Sequence, residues 1–87
     1  MNITEIKFVE DKSQPIFHVI CDTGYETNMI INTWYLTPGR IVPCILDTLD
    51  DYFTNRLFID NLDEIVYNVV EQLVENKCVP YTIEEIL

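Results

Sequence analysis

Asp47, Asp50 and Asp51 are the residues whose type and spacing first suggest chemistry. They stand at i, i+3 and i+4, which places three carboxylates on one face of a helix. Carboxylate oxygens are ligands that Mg²⁺ and Ca²⁺ prefer, but the neighbouring residues do not form a calcium-binding loop with its glycine and closing glutamate. We therefore expect no metal and no cofactor, and we interpret the aspartates as the solvated side of an amphipathic helix.

Residues suited to nucleophilic catalysis are few. The chain has one histidine, His18, and one serine, Ser13, which lies beside Pro15 in a predicted loop. Its only glycines, Gly24 and Gly39, are each explained by a turn, so no glycine-rich loop is available to hold phosphates. The protein is therefore predicted not to be an enzyme, and a Cys–His pair built on His18 is the remaining enzymatic alternative.

The three cysteines are predicted to be reduced thiols that fill space in the core. Cys21, Cys44 and Cys78 are odd in number, far apart and never in a CxxC pair, which is typical of intracellular proteins. A zinc site that adds His18 is not favoured, because His18 and Cys21 fall on opposite faces of a predicted strand.

The net charge limits the class of partner. Fifteen acidic residues against five basic ones give a formal charge of −10 on 87 residues. Nucleic-acid phosphates and anionic lipid head groups would be repelled, so we expect no direct nucleic-acid binding, no membrane binding and a basic protein as partner. Residues 1–12 contain neither the basic nor the apolar part of a signal peptide, and we expect a cytoplasmic location.

The first part of the chain has the pattern of a β-sheet. A hydrophobic content of 48% predicts a packed fold, and the length suits one acidic domain over residues 1–87. Residues 4–9 alternate apolar and polar side chains, residues 16–21 are rich in β-branched and aromatic side chains, and residues 25–36 form a third run. Short connections, with Gly24 in the second, predict an antiparallel meander in the order 1-2-3.

The third predicted strand has more large apolar side chains than one buried face requires. Residues 29–31 and 34–36 are both consecutive apolar runs. A bulge near Asn32 would turn both runs towards one face. Alternatively, the strand is covered on both sides, or one side is an interaction surface.

The second part of the chain has the period of helices. Pro38 and Gly39 suggest a type II turn, after which an amphipathic helix is predicted over residues 43–55. Asp60 or Asn61 would cap a second helix that stops near Lys77. Thr82 and Glu85 match a capping box that opens a last helical turn. The fold class predicted is α+β, a three-stranded antiparallel meander followed by two amphipathic helices packed on one face and a short C-terminal helical turn.

Carboxylates gather on the outer sides of both predicted helices without interleaved lysine or arginine. Glu71 and Glu75 form a like-charge pair at i, i+4, which is mildly unfavourable and suggests a functional reason. The predicted partner-binding residues are the acidic side chains and two tyrosines as rim anchors: Asp47, Asp50, Asp51, Glu64, Glu71, Glu75, Tyr52 and Tyr67.

These features predict a small acidic inhibitor that binds the basic nucleic-acid groove of a nuclease or other nucleic-acid-handling enzyme. Its carboxylates would take the place of a nucleic-acid backbone. In size, acidity and lack of catalytic apparatus, the chain resembles small phage-encoded anti-defence proteins such as anti-CRISPRs. The alternative is a non-catalytic interaction module or small oligomeric subunit, monomer or homodimer, that uses an apolar sheet surface.

Overall fold

The chain divides into a sheet half and a helical half. The computed structural model of the protein describes residues 1–11, 13–33 and 36–87. Strands β1 (Ile3–Asp11), β2 (Pro15–Cys21) and β3 (Glu26–Ile30) form an antiparallel sheet in the order β1-β2-β3. Helix α1 (Pro38–Phe53), a 3₁₀ turn (Arg56–Phe58), helix α2 (Leu62–Glu75) and the short α3 (Ile83–Ile86) follow. The predicted fold class is confirmed.

The central strand β2 separates the two faces of the sheet. Phe17, Val19 and Cys21 are buried against the helices, whereas the alternate residues between them are half-buried on the outer face. The turn to β3 contains Gly24 at φ +89°, a backbone conformation that residues other than glycine rarely adopt. The Gly24 N–H donates to the Cys21 carbonyl at 3.0 Å, as the predicted hairpin requires.

Strand β3 is shorter than the predicted run over residues 25–36, and this prediction was wrong. The strand ends at Ile30, and the Ile31 N–H donates to the carbonyl of Pro15, the first residue of β2, at 3.0 Å. Beyond this point β2 offers no partner. The alternative of a bulge near Asn32 does not apply, because Asn32 lies outside the strand and the register shifts occur in β1. Trp34 and Tyr35 fall outside the described residues.

The apolar run at the end of β3 divides between the two faces of the sheet. Met29 and Ile31 are completely buried, and Ile30 between them is 45% exposed on the outer face. Simple alternation therefore accounts for these three residues, and the outer face keeps an exposed isoleucine.

Helix α1 begins earlier than predicted. Pro38 and Gly39 occupy its first turn instead of a separate type II turn, and Thr37 is the N-cap. Proline suits this position because its fixed φ is helical and its missing N–H would have no helical partner there. Pro43 lies inside the helix, and Thr54, at φ 67° and ψ −46°, follows the last helical residue, Phe53.

The outer edge of β1 is hydrogen-bonded by two side-chain amides, one from the N-cap of α2 and one from within α2. The Asn61 side chain accepts from the Ile3 N–H at 3.0 Å and donates to the Ile3 carbonyl at 2.8 Å. Gln72 accepts from the Phe8 N–H at 2.7 Å and donates to the Ile6 carbonyl at 2.8 Å. The predicted N-cap position at Asn61 is correct, but its side chain bonds β1 and makes no capping hydrogen bond.

The lengths of helix and strand fit this arrangement. Asn61 and Gln72 are separated by three helical turns, about 16 Å, and Ile3 to Phe8 spans a similar distance of about 16 Å along an extended strand. The two side chains can therefore reach both ends of the same strand segment. An open edge would invite pairing with another chain, and α2 covers this one.

The ends of the helices carry the expected signals. Helix α2 stops at Glu75, two residues before the predicted end, and Lys77 adopts φ 56°. The N–H groups of Lys77 and Cys78 donate to the carbonyls of Val74 and Leu73, the hydrogen-bond pattern of a Schellman motif. The predicted capping box between residues 82 and 85 is confirmed.

One core joins the sheet and the helices. Apolar residues of α1 and α2 pack against the inner face of the sheet, so the opposite sides of both helices face outwards. The fully buried members are Phe17, Val19, Met29, Ile31, Ile41, Ile45, Leu49, Val69, Val70 and Leu73.

Replacement of Gln72 by Met tests the edge contact. The substitution keeps the length of the side chain but leaves the Phe8 N–H and the Ile6 carbonyl without their partner. We expect the free energy of unfolding to fall by about 1–3 kcal/mol, measured by urea denaturation. Asn68→Met is the matched control, because Asn68 is also half-buried on α2 and its side chain makes no hydrogen bond with the described residues. Equal losses in both variants would contradict this role.

The amino group of Met1 provides a test by pH. It lies 2.9 Å from the Asp60 carboxylate, and the hydrogen bond to Asp60 raises the pKa of the amino group above its usual 8.0. A raised pKa in the folded protein gives a stabilisation that is complete below the pKa of the unfolded chain and is lost as pH rises through the folded pKa. Thermal unfolding measured from about pH 7 to about pH 10 should therefore show a decline that is smaller in Asp60→Asn. Identical pH profiles would contradict the contact.

Candidate partner-binding surface

Two of the three α1 aspartates lie together on the outer side of the helix. Asp47 and Asp51 are exposed and line one open depression of about 310 Å³. Their spacing of one helical turn puts both carboxylates on the same side, as the sequence predicts. Neither makes an ion pair or a side-chain hydrogen bond with the described residues. Arg40 also lines the depression and is exposed.

Asp50 has a different role from its two neighbours. Its side chain accepts a hydrogen bond from the Arg56 backbone N–H at 2.7 Å, and its other oxygen lies 3.5 Å from the Arg56 Nε. Asp50 and Arg56 are both about one third exposed. This carboxylate therefore fixes the 3₁₀ turn to the end of α1, and the sequence-based grouping of Asp50 with Asp47 and Asp51 conceals that role.

The glutamates of α2 form a second group. Glu64 and Glu75 are exposed, and Glu71 is half-buried. None of the three makes an ion pair or a side-chain hydrogen bond within the described part of the chain. They therefore remain available to a partner.

The two predicted tyrosine anchors differ in their surroundings. Tyr52 is half-buried, and its hydroxyl accepts a hydrogen bond from the Ile30 N–H at 3.2 Å, which ties α1 to the outer edge of β3. Tyr67 is 47% exposed on α2, between Glu64 and Glu71 in sequence. Tyr67 is therefore open to a partner, and the hydroxyl of Tyr52 has a structural role.

Exposed carboxylates also occur away from the two long helices. Glu5 and Glu26 lie on the outer face of the sheet, Asp22 lies in the hairpin turn, and Glu84 lies in α3. The negative potential therefore surrounds much of the molecule. An experiment must separate the helix carboxylates from the total charge.

The three cysteines and the histidine pack or form hydrogen bonds within the fold. All three cysteines are reduced thiols; Cys21 is buried, and Cys44 and Cys78 are half-buried. The Cys44 Sγ donates to the Asn32 carbonyl at 3.0 Å, and burial raises the pKa of this thiol, with a further contribution from the charge of Asp47. His18 Nδ1 lies 2.9 Å from the Asn28 side-chain oxygen. Within the ranges that the structure describes, no three His, Cys, Asp or Glu side chains are arranged to hold a metal ion.

Two exposed apolar residues were not predicted as functional. Leu57 is 78% exposed and Phe58 is 59% exposed, and both lie in the 3₁₀ turn between α1 and α2. The sequence signal was a three-residue apolar run, Leu57–Ile59, between two helices. Only Ile59 of this run is buried, at 3% exposure.

Comparisons with known proteins give no functional assignment. No protein-family model matches the chain, and neither curated proteins nor solved structures give a significant match. Among the residues that the structure describes, no helix is both long and apolar enough to span a membrane.

Substitution of the α1 aspartates by alanine tests their different roles. Asp50→Ala removes an acceptor of the Arg56 N–H and the partner of its guanidinium, so we expect the free energy of unfolding to fall by about 1–2 kcal/mol. Asp47→Ala and Asp51→Ala should change it by no more than about 0.5 kcal/mol. Chemical denaturation of the three variants measures the free energy of unfolding. Equal losses in all three would show that the contact of Asp50 with Arg56 does not stabilise the fold.

Proposed function

We propose that this protein is a small acidic inhibitor that binds the basic nucleic-acid groove of a nuclease or other nucleic-acid-handling enzyme. The observation that supports it is the unpaired state of the candidate carboxylates. Five of the six, all except Asp50, make no ion pair with a described residue. A basic partner can therefore bind them without breaking an internal ion pair.

The spacing of the carboxylates defines the kind of mimicry. Glu64, Glu71 and Glu75 are separated by seven and four residues, which correspond to about 10 Å and about 6 Å along a helix. One strand of DNA carries a phosphate about every 3.4 Å. The helix is less densely charged, so it would imitate the negative potential of a nucleic acid and not the position of each phosphate.

The charge supports fast encounter with a cationic groove. Opposite potentials raise association rates, and the effect weakens with salt because exposed charges are screened over about 8 Å at physiological ionic strength. The specificity would come from the carboxylates that lose water against arginine or lysine of the partner. We propose a cytoplasmic protein of the phage anti-defence type, similar in character to anti-CRISPRs.

A second candidate function uses the outer face of the sheet. Ile30 is 45% exposed on that face, and the half-buried Ile16 is its register partner. Val9, at a register shift of the neighbouring β1, is 55% exposed. These residues give an apolar strip on the sheet that suits an interaction module or a homodimer. Sedimentation over a range of concentrations separates the two candidates, because a dimer that persists at about 0.5 M salt would favour the apolar strip.

Capture from a bacterial lysate with the tagged protein tests the inhibitor proposal. We expect basic nucleic-acid-binding proteins to be enriched at low salt, and to be released both by added duplex DNA and by about 0.5 M salt. The captured nuclease should lose activity when the purified protein is added. Captured proteins that duplex DNA cannot displace would contradict nucleic-acid mimicry.

Charge reversal at matched sites shows whether the helix surface matters. D47K/D51K and E5K/E26K change the net charge equally, but the second pair lies on the outer face of the sheet. We expect D47K/D51K to weaken inhibition of the captured enzyme by at least about tenfold, which corresponds to about 1.4 kcal/mol, and E5K/E26K to change it much less. Equal losses would mean that only the total charge acts.

A further inference from the structure

The 3₁₀ turn presents the two most exposed large apolar side chains among the described residues. Leu57 and Phe58 are adjacent, and both are more exposed than the apolar residues of the outer sheet face. Single exposed apolar residues are common on protein surfaces. A leucine and a phenylalanine side by side at the end of a turn are less usual, and the turn is held in place from several directions.

Hydrogen bonds on both sides fix the backbone of this turn. The Asn55 side chain accepts from the Leu57 N–H at 2.9 Å, and Asp50 accepts from the Arg56 N–H at 2.7 Å. The Phe58 carbonyl accepts from the Met1 amino group at 2.9 Å. Ile59 follows immediately and is buried in the core. The two apolar side chains are therefore carried on an ordered backbone, which reduces the entropy lost when a partner binds them.

The charges next to the turn indicate the chemistry of the partner. Asp51 precedes it at the end of α1, and Asp63 and Glu64 follow it in the first turn of α2. These three carboxylates are exposed and have no ion pair with described residues, whereas the cation of the turn, Arg56, is already paired with Asp50. Leu57 and Phe58 therefore lie in a segment of the chain that is rich in exposed carboxylates.

We propose that Leu57 and Phe58 form an apolar anchor that enters an apolar pocket bordered by lysine or arginine on the partner protein. The inference rests on the proposed function, because the partner is the basic protein that the carboxylates attract. Aromatic side chains are frequent binding hot spots when a pocket buries them completely. The acidic neighbours would bring the turn to the cationic border of the pocket, and the two apolar side chains would then slow dissociation.

A charge-matched pair of peptides tests the anchor separately from the charge. One probe is an amphipathic Lys/Leu helical peptide, whose apolar face is bordered by lysines, and the other is a Lys/Gln peptide of equal length and charge. Fluorescence anisotropy at low salt should show that the protein binds the Lys/Leu peptide at least about tenfold more tightly. The variant L57S/F58S should lose this difference and keep the salt-dependent binding of both peptides.

The matched control is V9S/I30S, which removes two exposed apolar side chains of the sheet and should keep the difference in affinity between the two peptides. Both double variants alter exposed side chains, and L57S/F58S leaves the backbone hydrogen bonds of the turn in place, so its Tm should change by no more than about 3 °C. Equal binding of both peptides by the unmodified protein would overturn the anchor and leave the inhibitor proposal standing. If only V9S/I30S lost the difference in affinity between the two peptides, the apolar contact would lie on the sheet and the anchor would be overturned. Absence of binding to either peptide would overturn both proposals.

Discussion

The outer edge of β1 is the constraint on which the rest of the structure depends. A strand at the edge of a sheet leaves backbone groups that must find partners in protein or water. Asn61 and Gln72 supply them from the two ends of one helix, so a few hydrogen bonds set both the position of α2 along β1 and its rotation about its own axis. Once that rotation is fixed, the valine-rich side of α2 meets the sheet, and Glu64 and Glu75 face outwards.

Most of the fold could be predicted because its signals are local. The β-branched and aromatic residues of β2, the Gly24 turn, the apolar stripes of the helices and the capping box at Thr82 are all signals that depend on neighbouring residues only. The end of β3 could not be predicted in this way, since the strand stops where β2 has no residue left to pair with, which is a property of a distant segment. The start of α1 was missed because Pro38 followed by Gly39 suits both a type II turn and a first helical turn.

The sequence predicted which residues lie on the outer side of the helices, but it did not predict which of them make contacts within the fold. Helical spacing correctly placed Asp47 and Asp51 on one outer side, but spacing cannot show that Asp50 turns to Arg56, because that contact depends on how the chain reverses after Thr54. The hydroxyl of Tyr52 is likewise occupied by a backbone group of β3 that is 22 residues away. Contacts made across the fold therefore decide which polar side chains are left for a partner.

Charge alone is a poor source of specificity for a protein of this kind. Exposed carboxylates over much of a small domain attract any cationic surface, and each such contact contributes little free energy because water and salt screen it. An inhibitor needs an additional element that distinguishes one basic groove from another. The 3₁₀ turn can supply it, because two apolar side chains on a braced backbone gain free energy only where a pocket of matching shape excludes water around them. The acidity would then set the rate of association with basic partners, and Leu57 and Phe58 would determine from which partner the protein dissociates slowly.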